Sequence, residues 1–169
     1  MFTFDVTSLY TSVPISETIN YLCDYIQENN IDVGLPVDEL KQLLFVCTFN
    51  VQFKFNDEIY RQKDGVAMGS PLGPLFTDVF MAKIENNQLQ STIRQCVLYK
   101  RYVDDIMCVA DDTMDINFML KTFNTADPNI KFTMEKEANN EMAFLDVRLS
   151  RRGDGSAQQS VHRKATWNG

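Results

Sequence analysis

The stretch that most constrains the fold is VLYKRYVDDIMCVA, residues 97–110. Two runs rich in Val, Ile, Tyr and Cys, residues 98–103 and 106–109, flank the adjacent carboxylates of Asp104 and Asp105. This composition favours strands, and two strands separated by two turn-capable residues form a β-hairpin. The sequence therefore predicts a hairpin that carries two acidic side chains at its tip.

The paired acids have two interpretations, a solvated turn or a metal site. Like charges beside apolar strands repel each other, and a divalent cation would remove that repulsion. A second predicted strand, FTFDVTSLY at residues 2–10, alternates apolar side chains around Asp5. If the two strands are neighbours in one sheet, Asp5 approaches Asp104, and oxygen ligands from separate strand ends suit Mg²⁺. Two such ions about 3.5–4 Å apart form the clamp used in nucleotidyl transfer.

A glycine- and proline-rich stretch, DGVAMGSPLGP at residues 64–74, precedes a helical pattern over residues 75–89. Glycines before a helix let the backbone come close to a large flat or anionic ligand. A structural turn is the alternative interpretation. The stretch is therefore a candidate binding loop only in combination with the acidic motifs.

In their order along the chain, FDVTSLY, GVAMGSPLGP and YVDD resemble motifs A, B and C of reverse transcriptases. The segments IKFTMEKE (130–137), FLDVRLSRRGDGS (144–156) and VHRKAT (161–166) resemble the downstream region of Penelope-like retroelement polymerases. The resemblance covers nearly the whole chain. It implies an α+β polymerase palm with a ferredoxin-like antiparallel sheet, packed helices and a C-terminal β-hairpin. Residues 1–169 would be a palm fragment that lacks the thumb and most of the fingers.

The resemblance assigns roles to residues of motifs A and C. Asp5, Asp104, Asp105 and the carbonyl of Val6 would bind two Mg²⁺ ions, with Mn²⁺ as an alternative metal. Asp104 would touch both ions, while Asp105 adds charge and coordination. Tyr10 matches the aromatic steric gate that excludes ribonucleotides. The alternative for Tyr10 is an aromatic ring of the core or of a turn.

In motif B the resemblance points to Met68, Gly69, Ser70 and Pro71, which would lie beneath the template base and the nascent base pair. Many reverse transcriptases have Gln before this glycine. The Penelope-like pattern has Met there, so Met68 supports the subfamily. These four residues are the predicted nucleotide-binding loop.

A lysine of motif D would protonate the pyrophosphate leaving group, which requires a donor near the β-phosphate. Lys136 is the first candidate and Lys131 the second, both near a strand predicted from Ile130, Phe132 and Met134. A solvated lysine at a strand edge is the alternative. For Asp146, in the FLDV segment, we predict a structural role.

The charge distribution bears on nucleic-acid binding. The net charge of −7 counts against a strongly binding surface. From Arg148 to the end, however, five basic residues accompany one acidic residue. Residues 143–149 and 159–164 predict a long hairpin whose loop carries Arg151 and Arg152, similar to a primer grip that contacts phosphates. We therefore expect weak binding of nucleic acid by this chain alone.

The remaining patterns predict the scaffold. One helix follows Pro14 with Ser16 as its cap, and another follows Pro36 with Leu43 and Cys47 among its inward residues. A hairpin turning at Asn56 and Asp57 precedes the glycine-rich loop. The inward side chains predicted for the later helices are Phe76, Val79, Phe80 and Ile84, and then Phe118, Leu120 and Phe123.

Other features of the composition exclude several classes of protein. No apolar run reaches 18 residues, so no membrane span is expected, and the start does not resemble a signal peptide. Four dispersed cysteines and one histidine exclude a common zinc site and predict buried free thiols. The resemblance implies an intracellular, nuclear location.

The predicted function is that of a retroelement RNA-directed DNA polymerase, which joins a dNTP to a primer 3′-hydroxyl by two-metal nucleotidyl transfer. Its partners would be an RNA template, a DNA primer and dNTP, and the fragment alone would be weakly active or inactive. A catalytically silent module that binds RNA or protein is one alternative, against which Asp5, Asp104 and Asp105 count. A nucleotide cyclase or RNA-templated RNA polymerase is another, against which Tyr10, the MGSP loop and the FLDV segment count.

Overall fold

A computed structural model describes residues 1–49 and 51–163, which fall into two compact units. The first unit contains Met1–Thr7, Ser91–Thr125 and residues 131–163, and the second contains Ser8–Gln90 and Ala126–Ile130. Both combine helices with antiparallel strands, which confirms the α+β class. None of the described helices is long and apolar enough to cross a membrane.

The strands are β1 (Phe2–Thr7), β2 (Gln52–Phe55), β3 (Glu58–Arg61), β4 (Leu98–Tyr102), β5 (Asp105–Val109), β6 (Lys131–Lys136), β7 (Glu141–Phe144), β8 (Val147–Arg151) and β9 (Ala157–Val161). The helices are α1 (Leu9–Ser12), α2 (Ile15–Glu28), α3 (Val37–Phe49), α4 (Gly73–Asn86), α5 (Gln90–Ile93) and α6 (Ile116–Ala126). The predicted strands and helices form close to their expected places, except that the strand predicted over residues 2–10 ends at Thr7 and Leu9 and Tyr10 belong to α1.

The first unit is built on a four-stranded antiparallel sheet with the strand order β4-β5-β1-β6. This order, with the first strand inside the sheet, is ferredoxin-like, as predicted. In β1 the side chains of Phe2, Phe4 and Val6 are buried, while the side chains between them point to the other face. The period of two therefore separates a core face from a polar face of the same sheet.

Helix α6 covers the core face of this sheet. The ring of Phe123 lies 4.7 Å from that of Phe4 and 5.2 Å from that of Phe132, measured between centroids. Met119, one turn earlier, is also buried, whereas Phe118 is 66% exposed. The prediction that Phe118 faces inward was therefore wrong, because the buried face of α6 follows Met119 and Phe123 at a spacing of four residues.

The free edge of β6 is met by a side chain of α6. The amide nitrogen Nδ2 of Asn124 donates to the carbonyl of Phe132 at 3.0 Å. Its oxygen Oδ1 accepts the N–H of the same residue at 2.9 Å. One side chain thus satisfies both backbone groups of an edge residue.

The hairpin between β4 and β5 turns one residue earlier than predicted. β4 ends at Tyr102 and β5 begins at Asp105, so the turn consists of Val103 and Asp104. Val103 has φ 55°, which is unusual for a β-branched residue. Asp105 belongs to the strand because it pairs with Tyr102 on one side and with Asp5 on the other.

The C-terminal region forms a three-stranded sheet, β7-β8-β9, in place of the predicted two-stranded hairpin. Residues 143–149 are interrupted by the turn Leu145–Asp146, with φ 54° at Leu145, so they form two strands. β9 ends at Val161. The predicted end of that strand, Lys164, lies outside the described residues.

In the second unit, α2 buries Ile15, Ile19, Cys23 and Ile26. The helix begins at Ile15 after Pro14, and no side chain caps it in the described part of the chain, so the assignment of Ser16 was wrong. Helix α4 buries its predicted stripe of Phe76, Phe80 and Ile84, although Val79 is only half-buried. An ion pair between Lys83 of α4 and Glu17 of α2 joins the two helices.

Helix α3 presents less of its surface to the core than predicted. Leu44 and Thr48 are buried, whereas Leu43 is 53% exposed and Cys47 is exposed. The inward assignment of Leu43 and Cys47 was wrong, since the buried pair is again spaced by four residues. The hairpin β2–β3 turns at Asn56–Asp57 as predicted, and all of its strand residues are exposed.

Candidate active site

The candidate site is centred on two carboxylates that face each other across neighbouring strands. Asp5 of β1 is the register partner of Asp105 of β5. Opposed residues of an antiparallel pair point to the same face, with Cβ atoms about 4.5–5.5 Å apart. Their flanking residues Phe4 and Ile106 are buried, so both carboxylates lie on the polar face of the sheet.

A backbone hydrogen bond links Asp104 to β1, the strand that carries Asp5. The N–H of Val6, which follows Asp5, donates to the carbonyl of Asp104 at 3.0 Å. This bond links the β4–β5 turn to the strand that carries the first carboxylate. The backbone of Asp104 therefore lies at the end of the sheet where Asp5 opposes Asp105, and the approach of its carboxylate to Asp5 stays a prediction. The side chain of Val6 is buried, and the role of its carbonyl as a ligand stays a prediction.

The donor set bears on whether divalent metals fit here. Carboxylate oxygens from two neighbouring strands are hard ligands that suit Mg²⁺ and leave positions for substrate oxygens. Within residues 1–49 and 51–163, however, no three side chains of the His, Cys, Asp or Glu types are grouped so as to hold a metal ion. The opposed carboxylates of Asp5 and Asp105 thus supply some, but not all, of the ligands that a metal ion needs.

Asp5 and Asp105 line a cavity of about 390 Å³ within the first unit. The other lining residues are Thr3, Phe4, Thr133, Glu135, Ala143, Phe144, Leu145 and His162. Sequence reasoning did not assign Thr133, Glu135 or His162 to the site. The alternation of β6 is a signal that would place Thr133 opposite Asp5 and Glu135 opposite Thr3. No sequence signal places His162 there.

The strand register separates the two lysine candidates of motif D. Lys136 pairs with Phe2, whose side chain is on the core face of the sheet. The Nζ of Lys136 donates to Oδ1 of Asn117 in α6 at 3.1 Å. Lys131 pairs with Thr7, which lies two residues after Asp5 in β1 and therefore on the same face of the sheet. Lys136 also lines a different cavity from that of Asp5. The register therefore favours Lys131, against the predicted order, and the role itself stays a prediction.

Tyr10 and the glycine-rich loop belong to the second unit. The carbonyl of Tyr10 accepts the N–H of Val66 at 2.7 Å, so α1 is bonded to the loop. Gly65 has φ 72°, and a Cβ there would lie 2.5 Å from Cα of Thr11, so only glycine fits. A Cβ on Gly73 would lie 3.1 Å from the ring of Tyr10, which therefore packs against the start of α4.

The four predicted loop residues form an open surface. Met68 is 77% exposed, and Gly69 has φ 88° with free space where a Cβ would be. Ser70 Oγ accepts the N–H of Leu72 at 3.3 Å, which bends the loop into α4. Pro71 is exposed. Contact of this surface with nucleotide stays a prediction.

The four cysteines are free thiols in differing environments. Cys23 and Cys108 are buried as expected, whereas Cys47 is exposed and Cys96 is half-buried, which corrects the prediction of four buried thiols. A hydrogen bond with Cys96 and then burial raise the pKa of the Cys108 thiol. The same bond lowers the pKa of Cys96. Cys108 therefore behaves as a core residue of β5.

Comparison with known sequences identified one family. The family model described as reverse transcriptase (RNA-dependent DNA polymerase) matches residues 1–141. A search of curated proteins found no match to the sequence.

Three solved structures share the fold at low identity. A Candida tropicalis telomerase without its C-terminal domain has a TM-score of 0.73 at 12% identity over 94% of this chain. A Candida albicans telomerase in complex with a TWJ fragment of telomeric RNA has a TM-score of 0.73 at 14% identity over 94%. The Sicinivirus 3Dpol RNA-dependent RNA polymerase has a TM-score of 0.54 at 14% identity over 95%. The chain spans 35%, 31% and 36% of their respective lengths, about a third.

Proposed function

The chain belongs to the reverse transcriptase family, and from that premise we propose that it is the palm of an RNA-directed DNA polymerase. Its substrates would be a DNA primer, an RNA template and dNTP. The observation that carries the proposal is the position of Asp5 opposite Asp105, with the Asp104 turn bonded to β1. Acids so placed concentrate negative charge at one sheet end, where a polymerase needs its metal ligands.

Asp5, Asp104, Asp105 and the carbonyl of Val6 would hold two Mg²⁺ ions, or Mn²⁺ in their place. When bound, these ions would supply Lewis-acid activation of the primer 3′-hydroxyl and neutralise charge on the leaving pyrophosphate. The contribution of the chain is to fix the carboxylates. Strand pairing sets the distance from Asp5 to Asp105, and the bond from Val6 holds the turn that carries Asp104.

The nucleotide would be selected by the second unit. Tyr10 would exclude a ribose 2′-hydroxyl, which is supported by the ring being held against Gly73. Met68, Gly69, Ser70 and Pro71 would support the template base and the nascent pair with the open surface they form. Lys131, which shares a sheet face with Asp5, or Lys136 would protonate the leaving group.

The origin of the polymerase is also a proposal. The FLDV and VHRKAT segments support a Penelope-like retrotransposon, and hence an intracellular, nuclear enzyme without a membrane partner. Because the chain spans about a third of the structures it resembles, fingers and thumb regions would belong to other parts of the parent polymerase. We expect residues 1–169 alone to bind metal and nucleotide weakly and to synthesise little or no DNA.

A catalytically silent module that binds RNA or protein is the second candidate. The observation that favours it is the lack of a three-residue metal-binding group among the described side chains. Such a module would bind nucleotide or RNA in a manner independent of Asp5, Asp104 and Asp105. Dependence on these acids therefore separates the two functions.

Calorimetry of Mg²⁺ or Mn²⁺ binding in the presence of one dNTP tests the proposal. Asp104→Asn removes a charged ligand, and we expect it to weaken binding about tenfold or more, which corresponds to roughly 1.4 kcal/mol. The matched control is Asp146→Asn, which alters the second position of a similar turn and is not among the residues that line the cavity of Asp5 and Asp105. Equal binding by the Asp104→Asn variant and the unmodified chain would favour the silent module.

A further inference from the structure

Three sulfur-bearing side chains, those of Cys96, Cys108 and Met119, lie together in the first unit. The Sγ of Cys96 donates to the Sδ of Met119 at 4.0 Å. The thiol of Cys96 is also hydrogen-bonded to that of Cys108, which belongs to β5. All three residues lie in the segment Ser91–Thr125. The fold therefore brings two of the four dispersed thiols of the sequence into contact.

The two thiols differ in their access to solvent. Cys108 is 0% exposed, whereas Cys96 is half-buried and lies between the exposed residues Gln95 and Val97. Gln95, Val97 and Met119 line a cavity of about 470 Å³ in the first unit. A small molecule in this cavity is one side chain away from the Cys96 thiol, because Met119 contacts both. A reagent from solvent would therefore reach the pair through Cys96.

The hydrogen bond between the thiols gives them different acidities. When Cys96 is ionised, the S–H of Cys108 donates to its thiolate, which lowers the pKa of Cys96. The same bond and then burial raise the pKa of Cys108, so Cys108 keeps its proton. The thiolate is the reactive form of cysteine, and a reactive thiolate beside a second thiol is typical of cysteines that oxidise reversibly. Cys96 is therefore the nucleophile of the pair, and Cys108 is the thiol that can resolve its oxidised form.

We propose that Cys96 and Cys108 form an oxidation site, at which a hydroperoxide oxidises Cys96 and Cys108 then closes a reversible disulfide with it. This disulfide joins the segment before β4 to β5, the two strands that the turn Val103–Asp104 connects. In a reducing compartment such a bond is transient, as is usual for redox-sensing cysteines. The inference goes beyond the proposed polymerase function and does not depend on it.

The reaction has two steps. The Cys96 thiolate attacks one oxygen of the hydroperoxide, so an S–O bond forms, the O–O bond breaks, and the departing oxygen takes up the proton that Cys96 had released. The sulfur is thereby oxidised to a sulfenic acid and the peroxide is reduced. The sulfur of Cys108 then attacks that of Cys96, the S–S bond forms, the S–O bond breaks, and the hydroxide leaves as water with the thiol proton of Cys108. An excess of a small thiol reverses the reaction by disulfide exchange.

Hydrogen peroxide is the probe, and peptide mapping identifies the product. Trypsin releases Cys96 within residues 95–100 and Cys108 within residues 102–121. The full chain is oxidised, its remaining thiols are blocked with iodoacetamide in denaturant, and the digest is analysed by mass spectrometry. We expect the two peptides to be joined, with a mass two hydrogen atoms below their sum, and to separate when dithiothreitol is added. The experiment uses the Cys47→Ser background, because the exposed thiol of Cys47 would otherwise cross-link two molecules.

Cys23 is the internal control, because it is buried and burial raises the pKa of its thiol. We expect the disulfide to form roughly tenfold or more faster than Cys23 is oxidised, since the thiolate is the reactive species. In guanidinium chloride this preference for Cys96 should disappear, because unfolding removes the contact between the two thiols.

Two variants separate the roles of the thiols, with circular dichroism to verify that each of them folds. Cys108→Ala should slow the oxidation of Cys96, because it removes the hydrogen-bond donor, and should leave a sulfenic acid that dimedone traps. Cys96→Ser should leave the buried Cys108 reduced under the same conditions.

Three results would overturn the inference. The first is a pair that stays reduced at a peroxide concentration that oxidises Cys23. The second is oxidation of Cys96 without a bond to Cys108, because the two sulfur atoms would then be unable to meet. The third is a disulfide that forms no faster in the folded chain than in guanidinium chloride, because the fold would then give no selectivity. None of these results affects metal binding that requires Asp104, so the proposed function is tested separately.

Discussion

Two tight turns of the first unit have the same backbone design and different surroundings. Val103–Asp104 joins β4 to β5, and Leu145–Asp146 joins β7 to β8. The first residue of each turn has a positive φ, 55° and 54° respectively. In each, the aspartate carbonyl accepts an N–H from a third segment, Val6 at 3.0 Å and His162 at 2.8 Å.

The two turns differ in the residues that the third segment places opposite the strand next to the turn. Next to the first turn, Asp105 is opposed by Asp5, whereas next to the second turn Val147 is opposed by Val161. The first sheet is also covered by α6, while β9 at the edge of the second is exposed along its length. A turn with an aspartate therefore becomes a candidate active site only where strand order supplies a second carboxylate.

The largest expected effect tests the support beneath the first turn. Phe123→Ala removes a fully buried ring that contacts Phe4 and Phe132, so we expect the free energy of unfolding to fall by about 3–5 kcal/mol. Urea denaturation followed by circular dichroism measures the change. Val161→Ala, at a side chain that is 76% exposed beside the second turn, should change it by less than about 0.5 kcal/mol. Similar losses in the two variants would contradict the contrast between the sheets.

The next effect tests what the two turns share. Val103→Gly and Leu145→Gly place a residue that tolerates positive φ where a bulky side chain is strained. After the entropic cost of glycine, we expect each to raise the free energy of unfolding by about 1 kcal/mol. Asn56→Gly is the matched control, since Asn56 already tolerates its φ of 49° and little change is expected. Destabilisation at one turn and not at the other would show that their backbones differ.

A smaller effect tests the carboxylate pair that distinguishes the turns. Like charges directly opposed across strands are destabilising by roughly 0.2–1 kcal/mol. In the presence of a chelator, Asp105→Asn should therefore raise the free energy of unfolding by about that amount, whereas Asp146→Asn should not change it. Urea denaturation with and without Mg²⁺ makes the measurement. A loss of stability in the Asp105→Asn variant would show that the other interactions of Asp105 outweigh its repulsion from Asp5.

The smallest effect concerns two exposed loops that contain the same hydrogen bonds to an aspartate. Thr113 donates to Asp111 after β5, and Ser156 donates to Asp154 between β8 and β9. In each, the hydroxyl and then the N–H of the later residue lower the pKa of the aspartate. Because the folded-state pKa is lowered, the stabilisation is present above the unfolded pKa and is lost as pH falls through the folded value.

Thr113→Ala and Ser156→Ala should each raise the pKa of the partner carboxyl towards its ordinary value, because both remove the hydroxyl donor. A titration of the side-chain carboxyl resonances by NMR measures both. A pKa that stays low in either variant would assign the effect to the backbone N–H alone.

The sequence was sufficient where side chains repeat with a period of two. The alternation around Asp5 placed β1 and its polar face, and Phe132 placed β6 on the same core. The expected adjacency of the two strands also formed, although the register opposes Asp5 to Asp105 and not to Asp104. Such local patterns determine which side chains share a face of the sheet. The order of the strands came from the family resemblance.

The sequence was insufficient where partners distant in the chain decide the outcome. Asp105 is a strand residue because Asp5 and Tyr102 pair with it, and no local signal distinguishes it from Asp104. His162 enters the cavity through a backbone bond to a distant turn. Phe118 and Met119 are both apolar, and only packing against the sheet decides which of them is buried.

The bonds from Asn124 to Phe132 have a consequence for self-association. An edge strand with unpaired N–H and C=O groups is a template on which a strand of another molecule can add. Here both groups of the edge residue are already occupied by a side chain, so an incoming strand would first have to displace Asn124. That position of the edge is closed to intermolecular β-sheet growth. Asn124→Ala would open it, and the variant would be prone to aggregate even while the palm remained folded.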